Sequence, residues 1–68
     1  MTQKEMVLRY MRECGSITPW EAMREFGCMR LGARIYDLKR EGFGIITEIE
    51  TRKNRFGKRV SYARYRIA

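Results

Sequence analysis

The sequence GSITPWEAMREFGCMRLGARIYDLKREG, from Gly15 to Gly42, decides the fold. Within it, Thr18 stands directly before a proline, and Glu21 follows three residues after the threonine. This pattern predicts a helix that Thr18 caps at its first turn, with Glu21 completing a capping box. Gly27 is expected to end this helix after about two turns, because glycine readily takes the left-handed conformation of a C-cap.

A second helix is predicted between the glycine turn and Gly42. Three of its apolar residues recur at the spacing of one helical face and are expected to be buried: Leu31, Ile35 and Leu38. In the helix before it, Met23 and Phe26 are expected to point inward, beside the small Ala22. Gly32 costs the second helix roughly 1 kcal/mol relative to alanine. Gly32 therefore indicates close approach of another backbone or a nucleic acid, or else a tight helix–helix crossing.

Upstream of this pair, the sequence predicts a further helix. Thr2 and Glu5 form a second capping box, and Gly15 ends the helix. One apolar stripe runs along it: Met6, Val7, Tyr10, Met11 and Cys14. Ser16 and Ile17 then form a short extended segment before the next helix begins.

Downstream of Gly42 the apolar pattern changes to a period of two. FGIITEIETR and RVSYARYRI predict two strands, joined by KNRFGK, in which Asn54 and Gly57 can adopt positive φ. In the second strand Ala63, Tyr65 and Ile67 share one face, while Tyr62, Arg64 and Arg66 share the face that points outward. The prediction is one α+β domain over residues 1–68, in the order α-β-α-α-β-β, with the helix pair at about 18–42 and the hairpin at about 44–67.

Charge is distributed unevenly along the chain. Residues 1–51 hold eight basic and eight acidic side chains, whereas residues 52–68 hold seven basic and none acidic. The whole formal charge of +7 therefore lies in the last quarter of the sequence. A positive field confined to one end favours a polyanion as the partner.

Other classes of function are poorly supported by the composition. The chain has no histidine, and Cys14 and Cys28 lack the spacing of a zinc site. We expect both cysteines to be reduced, buried thiols, and we expect no metal, no cofactor, no small-molecule ligand and no enzymatic activity. No apolar run reaches the ~18 residues of a membrane span, so a cytoplasmic location without membrane contact is expected.

The helix pair followed by YARYRI at the end of a hairpin resembles the winged helix-turn-helix fold, over nearly the whole chain. More closely, it is similar to the small winged-helix proteins common in bacteriophages and prophages, which are thought to bind DNA. The resemblance implies that RLGARIYDLKREG is the recognition helix and TRKNRFGKRV is the wing. It implies a regulator of transcription or recombination that contacts double-stranded DNA, in the host cytoplasm or nucleoid if the gene belongs to a phage.

An α-helix fits the major groove of B-DNA, so its exposed side chains are candidates for base contact. Arg30 is expected to donate two hydrogen bonds to guanine, and Ala33 to lie against a thymine methyl group. Tyr36 and Arg40 are expected to reach a base or the backbone further along. Asp37 is expected to pair within the helix, with a neighbouring arginine. The candidate residues of the helix pair are Thr18, Arg30, Ala33, Arg34, Tyr36 and Arg40.

The wing is expected to follow the sugar-phosphate backbone or enter the minor groove. Its candidate residues are Arg52, Lys53, Asn54, Arg55, Phe56, Lys58 and Arg59. Phe56 either inserts into a groove or stacks on an unpaired base, or else folds back over the hairpin.

Two alternatives to duplex binding stay open at this stage. One is a protein-interaction module, an inhibitor or assembly factor, whose basic wing docks on an acidic protein surface. The other is binding to single strands or RNA, favoured by aromatic residues among arginines. A duplex binder this small is expected to need a homodimer or adjacent sites for adequate specificity.

Overall fold

Three helices precede an antiparallel hairpin in the computed structural model, which describes residues 1–68. The helices are α1 (Gln3–Cys14), α2 (Pro19–Phe26) and α3 (Leu31–Arg40), and the strands are β1 (Ile45–Lys53) and β2 (Arg59–Ile67). None of these helices combines the length and the apolar character that a membrane crossing requires.

The first two helices begin as predicted. In α1 the Thr2 hydroxyl accepts from the Glu5 amide at 3.1 Å, and the Glu5 carboxylate accepts from the Thr2 amide at 3.1 Å. In α2 the same pair of bonds joins Thr18 and Glu21 at 3.2 and 2.9 Å. Helix α3 differs, because Arg30 occupies its N-cap position and makes no side-chain cap hydrogen bond. Two helix starts are therefore set by local chemistry, and the third by packing.

The core lies where the three helices meet. It contains eight buried apolar residues: Val7, Met11, Ile17, Ala22, Cys28, Leu31, Ile35 and Leu38. The predicted stripe of α3 is confirmed, and Ala22 is also buried. The prediction for Met23 is wrong, since it is 45% exposed. Ala22 and Phe26, four residues apart, form the core side of this two-turn helix, and Met23 lies about 100° around the helix from Ala22.

The two cysteines have different environments. Cys28 is buried in the core, as predicted, whereas Cys14 is exposed. Cys14 is the last residue of α1, and Gly15 turns the chain away there with φ at +89°. The last residue of the apolar stripe therefore lies beyond the part of α1 that packs against other elements.

The predicted short strand before α2 is only a single bridge. Ile17 donates to the Tyr65 carbonyl at 2.8 Å and accepts from the Tyr65 amide at 2.9 Å, with no further ladder. Pro19 begins α2 two residues later and has no N–H to donate, so the extended segment has no room to grow. The bridge still ties the start of the helix pair to the free edge of β2.

The register of the hairpin separates two faces. Pairing runs from Ile45 opposite Ile67 to Lys53 opposite Arg59. One face carries residues 45, 47, 49, 51 and 53 of β1 and residues 59, 61, 63, 65 and 67 of β2. We call it the inner face, because Ile45, Tyr65 and Ile67 pack on the core. The outer face carries the alternate residues: Ile46, Glu48, Glu50, Arg52, Val60, Tyr62, Arg64 and Arg66.

Candidate nucleic-acid interface

Ion pairing neutralises most of the acidic side chains. Seven of the eight lie within 4.0 Å of a basic side chain. The remaining one, Glu5, belongs to the cap of α1. Nine basic side chains have no acidic partner: Arg12, Arg30, Lys39, Arg40, Arg52, Lys53, Arg55, Lys58 and Arg59. Eight of these nine belong to α3, its N-cap or the hairpin, so the uncompensated charge is concentrated there.

Helix α3 presents a polar and aromatic exposed side. Tyr36 is 61% exposed and does not belong to the core. The Arg40 guanidinium lies 5.8 Å from the centre of the Tyr36 ring, within the range of a cation–π contact. Arg30 is exposed directly before the first turn. These three predicted contact residues are therefore accessible together on one helix.

Two other predicted residues of α3 are less available. Arg34 and Ala33 are both half-buried. The Arg34 guanidinium pairs with the Asp37 carboxylate at 3.2 Å, which confirms that Asp37 pairs within the helix. Sequence reasoning omitted Lys39, which has no acidic partner. Its signal was visible in the sequence, since it precedes Arg40 in the last turn of the same helix.

Gly32 lies in open space on the first turn of α3. A Cβ atom added there would approach nothing closer than the Tyr65 hydroxyl, at 4.0 Å. No helix crosses it, so the interpretation of Gly32 as a helix contact is wrong. Close approach of a nucleic acid remains an explanation for a glycine at this position.

Thr18 does not belong to the accessible surface. It is 3% exposed, and its hydroxyl is engaged by the Glu21 amide. The capping role predicted for Thr18 is confirmed. Its side chain is too buried for the predicted contact with DNA.

The tip of the hairpin is shaped by Asn54. Its side-chain oxygen accepts from the backbone amides of Phe56 at 2.9 Å and Lys58 at 3.1 Å. Gly57 has the predicted positive φ, at +78°, whereas no residue other than glycine does, Asn54 included. Phe56 is 85% exposed, so it does not fold back over the hairpin. Asn54 therefore orders the loop that carries Arg55, Phe56 and Lys58 outward.

The wing cations divide between the two faces of the hairpin. Lys53 and Arg59 are directly paired residues on the inner face, the face whose Tyr65 lies against the first turn of α3. Arg52 is on the outer face, opposite Val60. The tip residues Arg55 and Lys58 extend beyond both strands. Four of the five cations can thus accompany α3 to one ligand surface, and Arg52 points away from it.

The remaining arginines of β2 are held in ion pairs. Arg66 contacts Glu48 at 2.9 Å. Arg64 donates to Glu50 at 2.8 Å and to the Ser16 hydroxyl at 2.9 Å, and it lies 3.7 Å from Glu21. The hydrogen bond from Arg64, with a smaller contribution from Tyr62, lowers the pKa of Glu50. The predicted outward direction of these arginines is confirmed. Arg64 joins the hairpin to α2, Arg66 stays within the hairpin, and neither adds free charge to the wing.

A helix pair with a glycine turn, followed directly by a hairpin that packs against the helical core, defines a winged helix-turn-helix protein. The family model of the winged helix-turn-helix domain matches residues 2–68, and the chain belongs to this family. Domains of this kind generally bind double-stranded DNA. Neither the search of curated proteins nor the search of solved structures found a match to the chain.

Proposed function

We propose that the chain binds double-stranded DNA with α3 in the major groove and the wing on the sugar-phosphate backbone or in the minor groove. The observation that carries this proposal is the segregation of free charge. Eight cations without an acidic partner belong to α3, its N-cap and the hairpin, and seven of the eight carboxylates are neutralised within the protein. A phosphate backbone can therefore meet these cations without first displacing an acidic side chain.

Base reading is assigned to α3 and its N-cap residue. Arg30 lies at the start of the helix, the end that enters the groove in this class of protein, and its planar fork matches the two acceptors of guanine. Tyr36 and Arg40, which are in cation–π contact, lie further along the helix and reach a base edge or a phosphate. Ala33 is small enough to lie against a thymine methyl group, and the Arg34 guanidinium is secured by Asp37 at the edge of the contact.

Affinity is assigned mainly to the wing. Lys53 and Arg59 on the inner face, with Arg55 and Lys58 at the tip, neutralise phosphates next to the groove that α3 occupies. Phe56, which is exposed at the tip, inserts into the minor groove or stacks on an unpaired base. Arg52, on the outer face, contributes only to the long-range field.

The biological role that these contacts support is regulation of transcription or of recombination, through binding alone and without catalysis. The resemblance to small phage and prophage proteins favours that setting. A single module of this size buries about 600–1,000 Å² on DNA. Two copies, as a homodimer or on adjacent sites, supply the specificity that one α3 lacks.

Selection of bound duplexes from a random library, followed by affinity measurements on the selected site, tests this proposal. Arg30→Ala should reduce discrimination at one base pair by about 1–3 kcal/mol while the rest of the site stays preferred. Lys58→Ala should weaken all duplexes by the same factor. If Arg30→Ala also weakens every duplex equally, α3 does not read bases.

The same measurements separate the alternatives. Failure to bind any duplex at micromolar protein and low salt would favour a protein-interaction module, whose wing meets an acidic surface. Competition by a single strand of the selected site, at lower concentration than the duplex requires, would favour single-stranded or RNA ligands. In either case α3 would not occupy a major groove.

A further inference from the structure

A groove lies on the outer face of the hairpin, which carries none of the proposed phosphate contacts. It is a groove of about 530 Å³ between the first turn of α2 and the outer face of the hairpin. Its two aromatic walls are Trp20 and Tyr62, and its cationic edges are Arg24 and Arg52. Because successive residues of a strand alternate between faces, Arg52 and Tyr62 point away from the face that Lys53 and Arg59 share with Tyr65. The proposed DNA contacts do not explain this groove.

The floor of the groove is a neutralised and ordered network. Arg64 is fixed there by Glu50, Ser16 and the nearby Glu21 carboxylate. Glu21 is also held by its capping bond to the Thr18 amide at 2.9 Å. The carboxylates of the floor are therefore compensated, so they do not oppose an acidic ligand above them. The walls adjoin this network of hydrogen bonds and ion pairs, which limits their freedom to rearrange.

The rim has the chemistry of a protein-binding site. Trp20 is 68% exposed, and tryptophan, tyrosine and arginine are the residues most enriched among those that dominate binding energy at interfaces. Arg52 has no acidic partner. Arg24 touches only the adjacent Glu25, at 3.9 Å, close to the limit for an ion pair. The free guanidinium of Arg52 and that of Arg24, whose one acidic contact is at the limit of an ion pair, thus flank an exposed indole.

We propose that this groove binds a short acidic segment of a partner protein. One apolar side chain of the segment packs between Trp20 and Tyr62, and carboxylates on either side of it pair with Arg24 and Arg52. Charge complementarity selects an acidic ligand, and the two aromatic walls require an apolar group, which a phosphate backbone does not supply. The groove lies on the opposite hairpin face from α3, so DNA and the segment can be held at the same time.

Selection from a phage-displayed library of random dodecapeptides on the full chain, with counter-selection on Trp20→Ala, tests the proposal. The enriched peptides should carry one leucine or phenylalanine among aspartates and glutamates. Trp20→Ala should weaken a synthetic consensus peptide by about 30-fold, the effect of a dominant interface residue. Arg52→Ala should weaken it several-fold. Met23→Ala, which removes another exposed apolar side chain of α2 outside the groove, should leave binding unchanged.

Fluorescence separates the groove from the DNA surface, since Trp20 is the single tryptophan of the chain. A peptide without tryptophan should shift the emission of Trp20 to shorter wavelength, whereas duplex DNA should not. Lack of an acidic consensus, or a consensus that binds Trp20→Ala equally well, overturns the proposal. It is also overturned if Trp20→Ala and Arg52→Ala weaken duplex binding as much as Lys58→Ala does, because the groove would then belong to the DNA surface.

Discussion

Replacing Lys58 by alanine should weaken DNA binding by a factor that depends on salt concentration and not on base sequence. The side chain of Lys58 has no acidic partner, so its charge is available to a phosphate. Its structural role in the hairpin tip is carried by the backbone. The Lys58 amide donates to the Asn54 side chain at 3.1 Å, and the Lys58 carbonyl accepts from the Asn54 amide at 2.8 Å. Alanine keeps both bonds, so the tip should keep its shape.

The size of the effect follows from counterion release. Each phosphate neutralised contributes about 0.9 to the slope of log K against log salt. Lys53, Arg55, Lys58 and Arg59 together should contribute about 3.6, equivalent to about 150-fold in affinity between 50 and 200 mM salt. Lys58→Ala should reduce the total slope by about 0.9. Its cost in affinity should therefore be about 3.5-fold smaller at 200 mM than at 50 mM salt.

Fluorescence anisotropy of a labelled duplex, titrated at four salt concentrations, measures both slopes. The matched control is Arg9→Ala, which removes one exposed positive charge from α1, where Arg9 pairs with Glu13 at 3.4 Å. Screening limits the reach of a surface charge to about 10 Å at 0.1 M salt, so the control should keep the wild-type slope. An unchanged slope for Lys58→Ala would refute the phosphate contact. An equal decrease in both variants would show that only net charge matters.

Three further predictions concern the helices and the joint between hairpin and α2. Gly32→Ala should raise the free energy of unfolding by up to about 1 kcal/mol and the Tm by a few degrees. The same substitution should weaken duplex binding. Unchanged binding would mean that DNA does not approach the first turn of α3. Thr18→Ala should cost about 1–2 kcal/mol in urea unfolding, more than the exposed cap variant Thr2→Ala, and the folded variant should bind DNA with unchanged affinity. Arg64 lowers the pKa of Glu50 in the folded state, so this carboxylate stabilises the protein above its unfolded pKa and loses that contribution as pH falls through the lower folded value. Thermal unfolding between about pH 5 and 2 should therefore show a smaller loss of Tm for Glu50→Gln than for the wild type, and parallel curves would contradict the assignment.

Much of the fold could be predicted because its decisive interactions are local. Each capping box lies within four consecutive residues, and the bonds at Thr2 and Thr18 formed as their spacing predicted. The buried stripe of α3 follows from helical periodicity alone. The errors fall where coverage by a distant element decides exposure. Met23 and Cys14 have apolar side chains at helical spacing, yet no neighbouring element reaches over them.

The candidate site could be predicted only in part. The concentration of charge after residue 51 is visible in the sequence, and so are Arg30, Tyr36 and Arg40 on the exposed side of α3. The sequence does not separate free cations from paired ones. In the sequence Arg64 is an outward-facing arginine of the second strand, and only the fold brings it to Ser16, which is 48 residues away in the chain. The sequence did not indicate a site at Trp20, because the groove that it lines forms only where residues of the hairpin come next to α2.

The sequence by itself determined where the first two helices begin and end, that a basic hairpin follows the helix pair and, through its resemblance to a known family, that the fold is a winged helix-turn-helix. Caps, glycine turns and apolar periodicity act over a few residues, so they can be read without knowing the fold. Only the tertiary structure decided which charges stay available to a ligand and on which face of the hairpin they lie. Ion pairs such as that between Arg64 and Glu21 join segments far apart in the chain, and strand register assigns Arg59 and Arg52 to opposite faces.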